Sequence, residues 1–163
     1  MLLWFAVVAP FLVAEIFRSP MVDYRLVAVG ALLPVLEVVI GRPFVLHTLA
    51  APVVVLTVTM AATTGRRLLR RRLLGISIGL FLHLVLDGTW TSAELFWWPL
   101  FGVSFAGLDV PEATAPGWRL VLELVAVAVA VVAWRRHGLD DPAARQRLMR
   151  SGHLPAAVRF GGR

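Results

Sequence analysis

Five apolar stretches dominate this chain, and each must be buried in protein or surrounded by lipid. They run roughly Leu2–Phe17, Leu26–Gly41, Phe44–Thr63, Leu73–Trp90 and Trp118–Trp134. A helix crosses the hydrocarbon core with about 20 apolar residues, in a range near 17–25. These stretches reach or approach that length; the second is short, with a start anywhere from Met21 to Leu26. Composition agrees: 59% of the 163 residues are hydrophobic and only 16% charged, with mean hydropathy +0.80, against about 25% charged in soluble domains. A soluble core of this size cannot absorb that much apolar surface. The expected fold class is an all-α, polytopic integral membrane helical bundle of about five transmembrane helices, because helices and closed barrels alone satisfy their backbone in lipid.

Leu95–Leu108 is also apolar but is interrupted by Pro99, Gly102 and Gly107. It is too short to span and reads as an interfacial or re-entrant segment, a depth that suits the indoles of Trp97 and Trp98. Gly41-Arg42-Pro43 reads as a tight turn, because Pro43 has no amide hydrogen and disfavours helical geometry at Arg42. Met1–Phe17 shows no basic n-region and no small-residue cleavage site, so it is expected to be a span rather than a removable signal.

All sixteen basic residues are arginine, and their distribution predicts the topology. With five spans, one side receives Arg18, Arg25, the five arginines of 66–72 and seven after Trp134, while the other receives Arg42 and Arg119. The positive-inside rule then puts the Arg66–Arg72 loop and the tail in the cytoplasm and the N-terminus outside, in a bacterial inner membrane. The net charge of +6 is accounted for by that orientation and requires no nucleic acid. The expected division is a transmembrane domain, 1–134, and an Arg-rich cytoplasmic tail, 135–163. Asp141 before Pro142 reads as an N-cap and first helical residue of a short surface helix to about Arg150. His137 and His153 are expected to be solvated there. The membrane lipids are the expected partners, and Arg66, Arg67, Arg70, Arg71 and Arg72 are placed for contact with anionic headgroups, at roughly 1 kcal/mol each.

Against this background, Glu37, His47, His83 and Asp87 stand out, since a charge at a helix centre costs roughly 2.5–3.5 kcal/mol on translocon scales. Their depths agree. Glu37 lies four residues before Gly41 and His47 four after Pro43, each about 6 Å from the outer end at 1.5 Å per residue. Asp87 lies about 4–5 Å and His83 about 10 Å from Trp90 by the same measure. All four fall in the outer third of the membrane. Gly75, Gly79, His83 and Asp87 recur every four residues and share one face, where the glycines admit a close neighbour. Gly30, Pro34, Glu37 and Gly41 make a similar stripe on the second helix.

Two imidazoles and two carboxylates suffice for Zn²⁺ or for a harder ion such as Mn²⁺. His47, His83 and Asp87 are candidate ligands, and Glu37 is a further ligand or the general base of a hydrolytic site. An Asp one turn from a His can also orient it. The competing reading is a hydrogen-bonded polar core that joins helices, at about 0.6–2 kcal/mol per bond. Both stand on spacing alone.

The segments Leu32-Leu33-Pro34-Val35-Leu36-Glu37, His47-Thr48, His83-Leu84-Val85-Leu86-Asp87 and Trp97-Trp98-Pro99 occur in an order that resembles a family. It is that of small bacterial inner-membrane proteins described as metal-dependent hydrolases, of the SOS-regulated membrane hydrolase type. That family carries Pro-Asp-x-Asp, Thr-His-Ser, His-x-x-x-Asp and a Trp-Pro element. The resemblance covers roughly Gly30–Pro99 and implies a second-acid role for Glu37, the middle histidine for His47, and the last motif for His83 and Asp87. Val35 stands where the family has its first acid, Glu37 replaces an Asp, and Met21-Val22-Asp23-Tyr24-Arg25 occupies the region of an early histidine. The implied activity is metal-dependent hydrolysis, and a site at that depth meets amphipathic molecules first, so the expected substrate is a lipid or envelope ester. The alternative is a non-enzymatic scaffold, assembly factor or transport-accessory protein with a polar core.

Other acids have local explanations. Glu15 can pair with Arg18 and Glu123 with Arg119, both on a shared helical face; Glu123 pointing at the site and Glu94 as a loop-borne acid are the other options. Asp23 with Arg25 faces the cytoplasm. No Gly-rich phosphate loop, Gly-x-Ser-x-Gly elbow or His-Glu-x-x-His occurs, and Ser77, Ser92 and Ser104 have no evident His partner, so a serine nucleophile is not expected.

Overall fold

A computed structural model of the chain describes residues 1–19, 21–40, 44–105, 107 and 116–154. The expected Gly41-Arg42-Pro43 turn and the last part of the tail lie outside the described residues. Within them the chain is all-helical, with no strand.

The first helix runs Trp4–Phe17. Pro10 has no amide hydrogen for the preceding turn, and residues Trp4–Val8 widen to a π-helix before α1, Ala9–Phe17, continues. Arg18 ends it in a left-handed conformation, φ 45°. Helix α2, Tyr24–Leu32, is capped by Asp23, whose carboxylate accepts from the Arg25 amide at 3.2 Å. Burial pushes the Asp23 carboxyl up, but the hydrogen bonds and charge of Arg25 outweigh it and hold the pKa below the usual value. Pro34 divides the second apolar stretch, so α2 gives way to a separate α3, Val35–Ile40. A 3₁₀ turn, Val45–His47, precedes α4, Ala50–Ala62. Helix α5, Arg67–Asp87, is closed by Gly88 at φ 76°. A second 3₁₀ turn, Thr89–Thr91, and the single-turn α6, Ala93–Phe96, lead on to α7, Pro116–Arg136, and α8, Pro142–Ser151.

These elements change several expectations. Gly117–Arg136, with mean hydropathy 1.9, is the one helix among the described residues that is long and apolar enough to cross a membrane alone; Trp4–Phe17 and Ala50–Ala62 are shorter apolar helices. The third stretch loses Phe44–Leu49 to the 3₁₀ turn and its flanks. The Arg66–Arg72 run is helix rather than loop, since α5 begins at Arg67. Arginine is a good helix former, and Arg66, Arg67, Arg71 and Arg72 are exposed. Beyond α6, residues 97–105 form no further helix.

The most extensive interhelical packing joins α2 to α5, and glycines make it so close. A Cβ on Gly79 would collide with the Val27 carbonyl, and one on Gly30 with the backbone of Ile76. The core lies beside this seam, where Phe5, Ala9, Val13, Tyr24, Val27 and Ala31 pack with Ile78, Leu82 and Leu86. Gly79→Ala is therefore expected to force the two helices apart and to destabilise the protein by about 1–3 kcal/mol, the usual cost of overpacking. Thermal unfolding in detergent reads the loss; Gly117→Ala, which meets nothing within 4 Å, is the control expected to leave the transition unchanged.

The tail is tied back to the bundle. Asp141 caps α8 through the Ala143 amide at 2.9 Å, as the Asp-Pro pair predicts. Gly152 O accepts from the Tyr24 amide at 2.8 Å, and Arg25 Nη1 donates to Met149 O at 2.6 Å. His137 is buried, 5% exposed, which corrects the expectation of a solvated residue; His153 is half-buried. Glu15 also departs from the expected local pair. Its carboxylate meets Arg136 of α7 at 3.0 Å, while Arg18 Nε donates to the Glu15 backbone carbonyl at 3.3 Å. Glu123 Oε1 lies 3.6 Å from the Met1 nitrogen. The links Glu15–Arg136, Arg25–Met149 and Tyr24–Gly152 gather one end of α1, α2, α7 and α8, and with it most of the described arginines.

Candidate metal centre

At the opposite end of the α2–α5 seam, three helices and a turn bring polar side chains together. One ligand atom each from His47, His83 and Asp87 lies within 4.8 Å of the others. His83 and His47 have ring centroids 5.3 Å apart and planes near perpendicular, at 82°. Both histidines are fully buried.

Each of the three is held from behind by a separate partner. Pro34 starts this arrangement. A continuous helix would present the Ala31 carbonyl to the amide of residue 35; with the helix broken at Leu32, that carbonyl accepts from His83 Nδ1 at 2.7 Å. Gly79, one turn before His83, brings α5 close enough for this reach. Phe5 stacks on the His83 ring, with centroids 3.9 Å apart and an interplanar angle of 27°. The second histidine, His47, sits at the end of the 3₁₀ turn, where its Nδ1 meets Glu37 Oε2 at 2.7 Å. Asp87 is the last residue of α5, and its Oδ2 accepts from the buried Thr89 hydroxyl at 2.9 Å.

These partners decide the tautomers. A backbone carbonyl and an ionised carboxylate only accept, so each neutral imidazole carries its proton on Nδ1 and its lone pair on Nε2. Asp87 Oδ1 and His47 Nε2 are buried and make no hydrogen bond among the described residues. A buried polar atom left so costs about 1–3 kcal/mol. Two imidazole lone pairs and a carboxylate oxygen with oriented outer partners match a three-ligand zinc site with an open fourth position. Tetrahedral bonds near 2.0–2.2 Å put ligand atoms roughly 3.3–3.6 Å apart, so loading requires the cluster to contract by about 1 Å.

Glu37, expected as a ligand or general base, is not among the converging atoms. Its Oε1 accepts from the Leu46 amide at 2.9 Å and its Oε2 from the Phe44 amide at 2.9 Å as well as from His47. The carboxylate thus caps the 3₁₀ turn and orients His47 at once. Thr89 was missed in the sequence; its position two residues after Asp87 is the signal that could have found it, since the turn after α5 leaves its hydroxyl within reach of that carboxylate. Glu94 is exposed on α6.

The 97–105 segment is fastened beside this site. The Leu49 amide donates to Phe96 O at 2.9 Å, Trp98 stacks on Phe105, and Phe44 meets Phe105 edge-on at 6.1 Å. Trp97, Leu100, Phe101 and Val103 are exposed. Comparison with known proteins adds no relative: no family model, curated protein or solved structure matches this chain.

Proposed function

We propose that this chain is a multi-pass inner-membrane protein that binds one Zn²⁺ or Mn²⁺ through His47, His83 and Asp87 and hydrolyses a lipid or envelope ester near the outer leaflet. The observation that carries the metal reading is the pairing of every converging side chain with its own orienting partner: Glu37 for His47, Ala31 O for His83 and Thr89 for Asp87. Two nitrogens and one oxygen suit zinc first and manganese second. When bound, the ion supplies a Lewis acid for an ester carbonyl and acidifies water at neutral pH. The chain's own residues hold and screen: Phe5 covers one face of His83, and Glu37 keeps the Nδ1 proton of His47 in place. The exposed Trp97, Leu100, Phe101 and Val103 beside the site suit an amphiphile that arrives from the bilayer. The resemblance to SOS-regulated membrane hydrolases supports the same reading.

The membrane placement rests on exposed apolar surface. Only 6% of the apolar window of α7 is buried within the chain, and Val53, Val54, Leu56, Val58 and Met60 of α4 are exposed too. Patches of that extent need lipid or protein over them. A reporter fused after Arg163 is expected to read cytoplasm and one inserted between residues 109 and 115 the outside. The reverse at either position would overturn the topology.

A second reading has one observation of its own. Because the Glu37 carboxylate is wholly engaged by two amides and His47, the cluster also resembles a staple for a non-enzymatic scaffold, assembly or transport-accessory protein. Metal content decides between them. Mass spectrometry of the full chain, purified without chelator, should find about one equivalent of zinc or manganese, with ester hydrolysis restored by the same metal after stripping. A metal-free protein that resists loading leaves the polar core.

A further inference from the structure

A cavity of about 310 Å³, lined by none of the His/Asp cluster, lies between the first helix and α7. Leu3 and Val7 form one wall, Ala126 and Ala130 the floor, and Trp134 and Arg135 one end. From Ala126 to Arg135 the groove follows α7 for about 13 Å at 1.5 Å per residue. Small residues one turn apart leave the space open, and the valines at 127 and 131 keep it apolar.

The end of the groove differs from its length. Trp134 Nε1 donates to Asp140 Oδ1 at 2.7 Å, which fixes the indole, while the Asp140 carboxylate keeps its negative charge and offsets one of the two arginines. The guanidinium of Arg145 lies 5.7 Å over the same ring. The neighbouring Arg136 is taken by Glu15 at 3.0 Å. Arg135 and Arg145 are both exposed at this mouth. A slot with apolar walls that ends in an interfacial tryptophan and two arginines combines acyl-chain and headgroup chemistry.

We infer that the groove between the first helix and α7 is a binding site for an anionic phospholipid, with one acyl chain along Ala126 and Ala130 and the phosphate at Arg135 and Arg145. This rests on the membrane placement proposed above but not on the metal site. A second helix in the groove would cover the apolar walls yet leave the net positive charge of Arg135 and Arg145 over Asp140 uncompensated. The selectivity expected from one arginine near the surface is about fivefold, from ~1 kcal/mol.

Native mass spectrometry of the full-length protein, released from micelles holding equal phosphatidylglycerol and phosphatidylcholine, tests this. Wild type should retain phosphatidylglycerol at least about fivefold over phosphatidylcholine. Arg135→Gln, a surface change that leaves the core untouched, should lower that ratio about fivefold, the remainder being carried by Arg145. Ala130→Phe should fill the floor and remove both adducts, with Val127→Phe from the exposed wall as a second obstruction. A wild-type ratio near one, an unchanged ratio in Arg135→Gln, or loss of a dimer rather than of lipid in both obstructed variants would each overturn the inference. Failure of the membrane placement shows separately, in the reporter fusions.

Discussion

Asp87→Asn is expected to reduce bound zinc or manganese from about one equivalent to near zero while the helices stay packed. The substitution is nearly isosteric, and its carbonyl oxygen can still accept from the Thr89 hydroxyl that holds Asp87 Oδ2 at 2.9 Å. It removes the anionic oxygen that faces His47 and His83. With three protein ligands, one loss removes a first-shell bond and most of the affinity. His83→Ala should abolish binding too, but it also opens a cavity under Phe5, stacked at 3.9 Å, so its loss of stability is ambiguous alone. Thermal unfolding in detergent supplies the second readout. Saturating zinc at 100 times the dissociation constant should stabilise wild type by about 2.7 kcal/mol and leave Asp87→Asn unmoved. Under the polar-core reading the order reverses. Zinc shifts neither protein, and Asp87→Asn changes stability little, because asparagine keeps the Thr89 bond and Asp87 Oδ1 makes none among the described residues.

The parts of this site that rigid periodicity controls were readable in advance. Gly75, Gly79, His83 and Asp87 share a face wherever a helix runs through them, so the close seam and the inward direction of His83 and Asp87 follow from spacing. Spacing runs one second helix through Pro34, whereas the structure ends α2 at Leu32 and starts α3 at Val35. What followed from that break depends on tertiary approach: the Ala31 carbonyl becomes an acceptor for His83 only because Gly79 lets α5 near. His47 was placed within a span and stands instead on a 3₁₀ turn, Val45–His47. Long-range pairs were hidden for the same reason. Glu15 finds Arg136 rather than Arg18, a choice between partners 3 and 121 residues away. Hydropathy also overstated helix length, because it counts apolar residues and not the prolines and turns that end helices.

Glu37→Gln is the change expected to separate orientation from base catalysis. The carboxylate accepts three hydrogen bonds, from the Phe44 and Leu46 amides at 2.9 Å each and from His47 Nδ1 at 2.7 Å. Glutamine offers one oxygen and one amide nitrogen, so at least one of those donors must face another donor. An unpaired buried donor costs about 1–3 kcal/mol, and thermal unfolding should fall accordingly. Relief is available if His47 moves its proton to Nε2, but that consumes the lone pair a metal requires. Zinc affinity should therefore drop about 10–100-fold, the usual effect of losing an outer partner. Competition with a chromophoric chelator measures it, and ¹⁵N shifts of the imidazole report whether the proton sits on Nδ1 or Nε2. A general base would behave differently: Glu37→Gln would then bind zinc like wild type and lose turnover alone. Unchanged affinity with an unchanged His47 tautomer would overturn the orienting role, and the cap on the Val45–His47 turn would be all that Glu37 contributes.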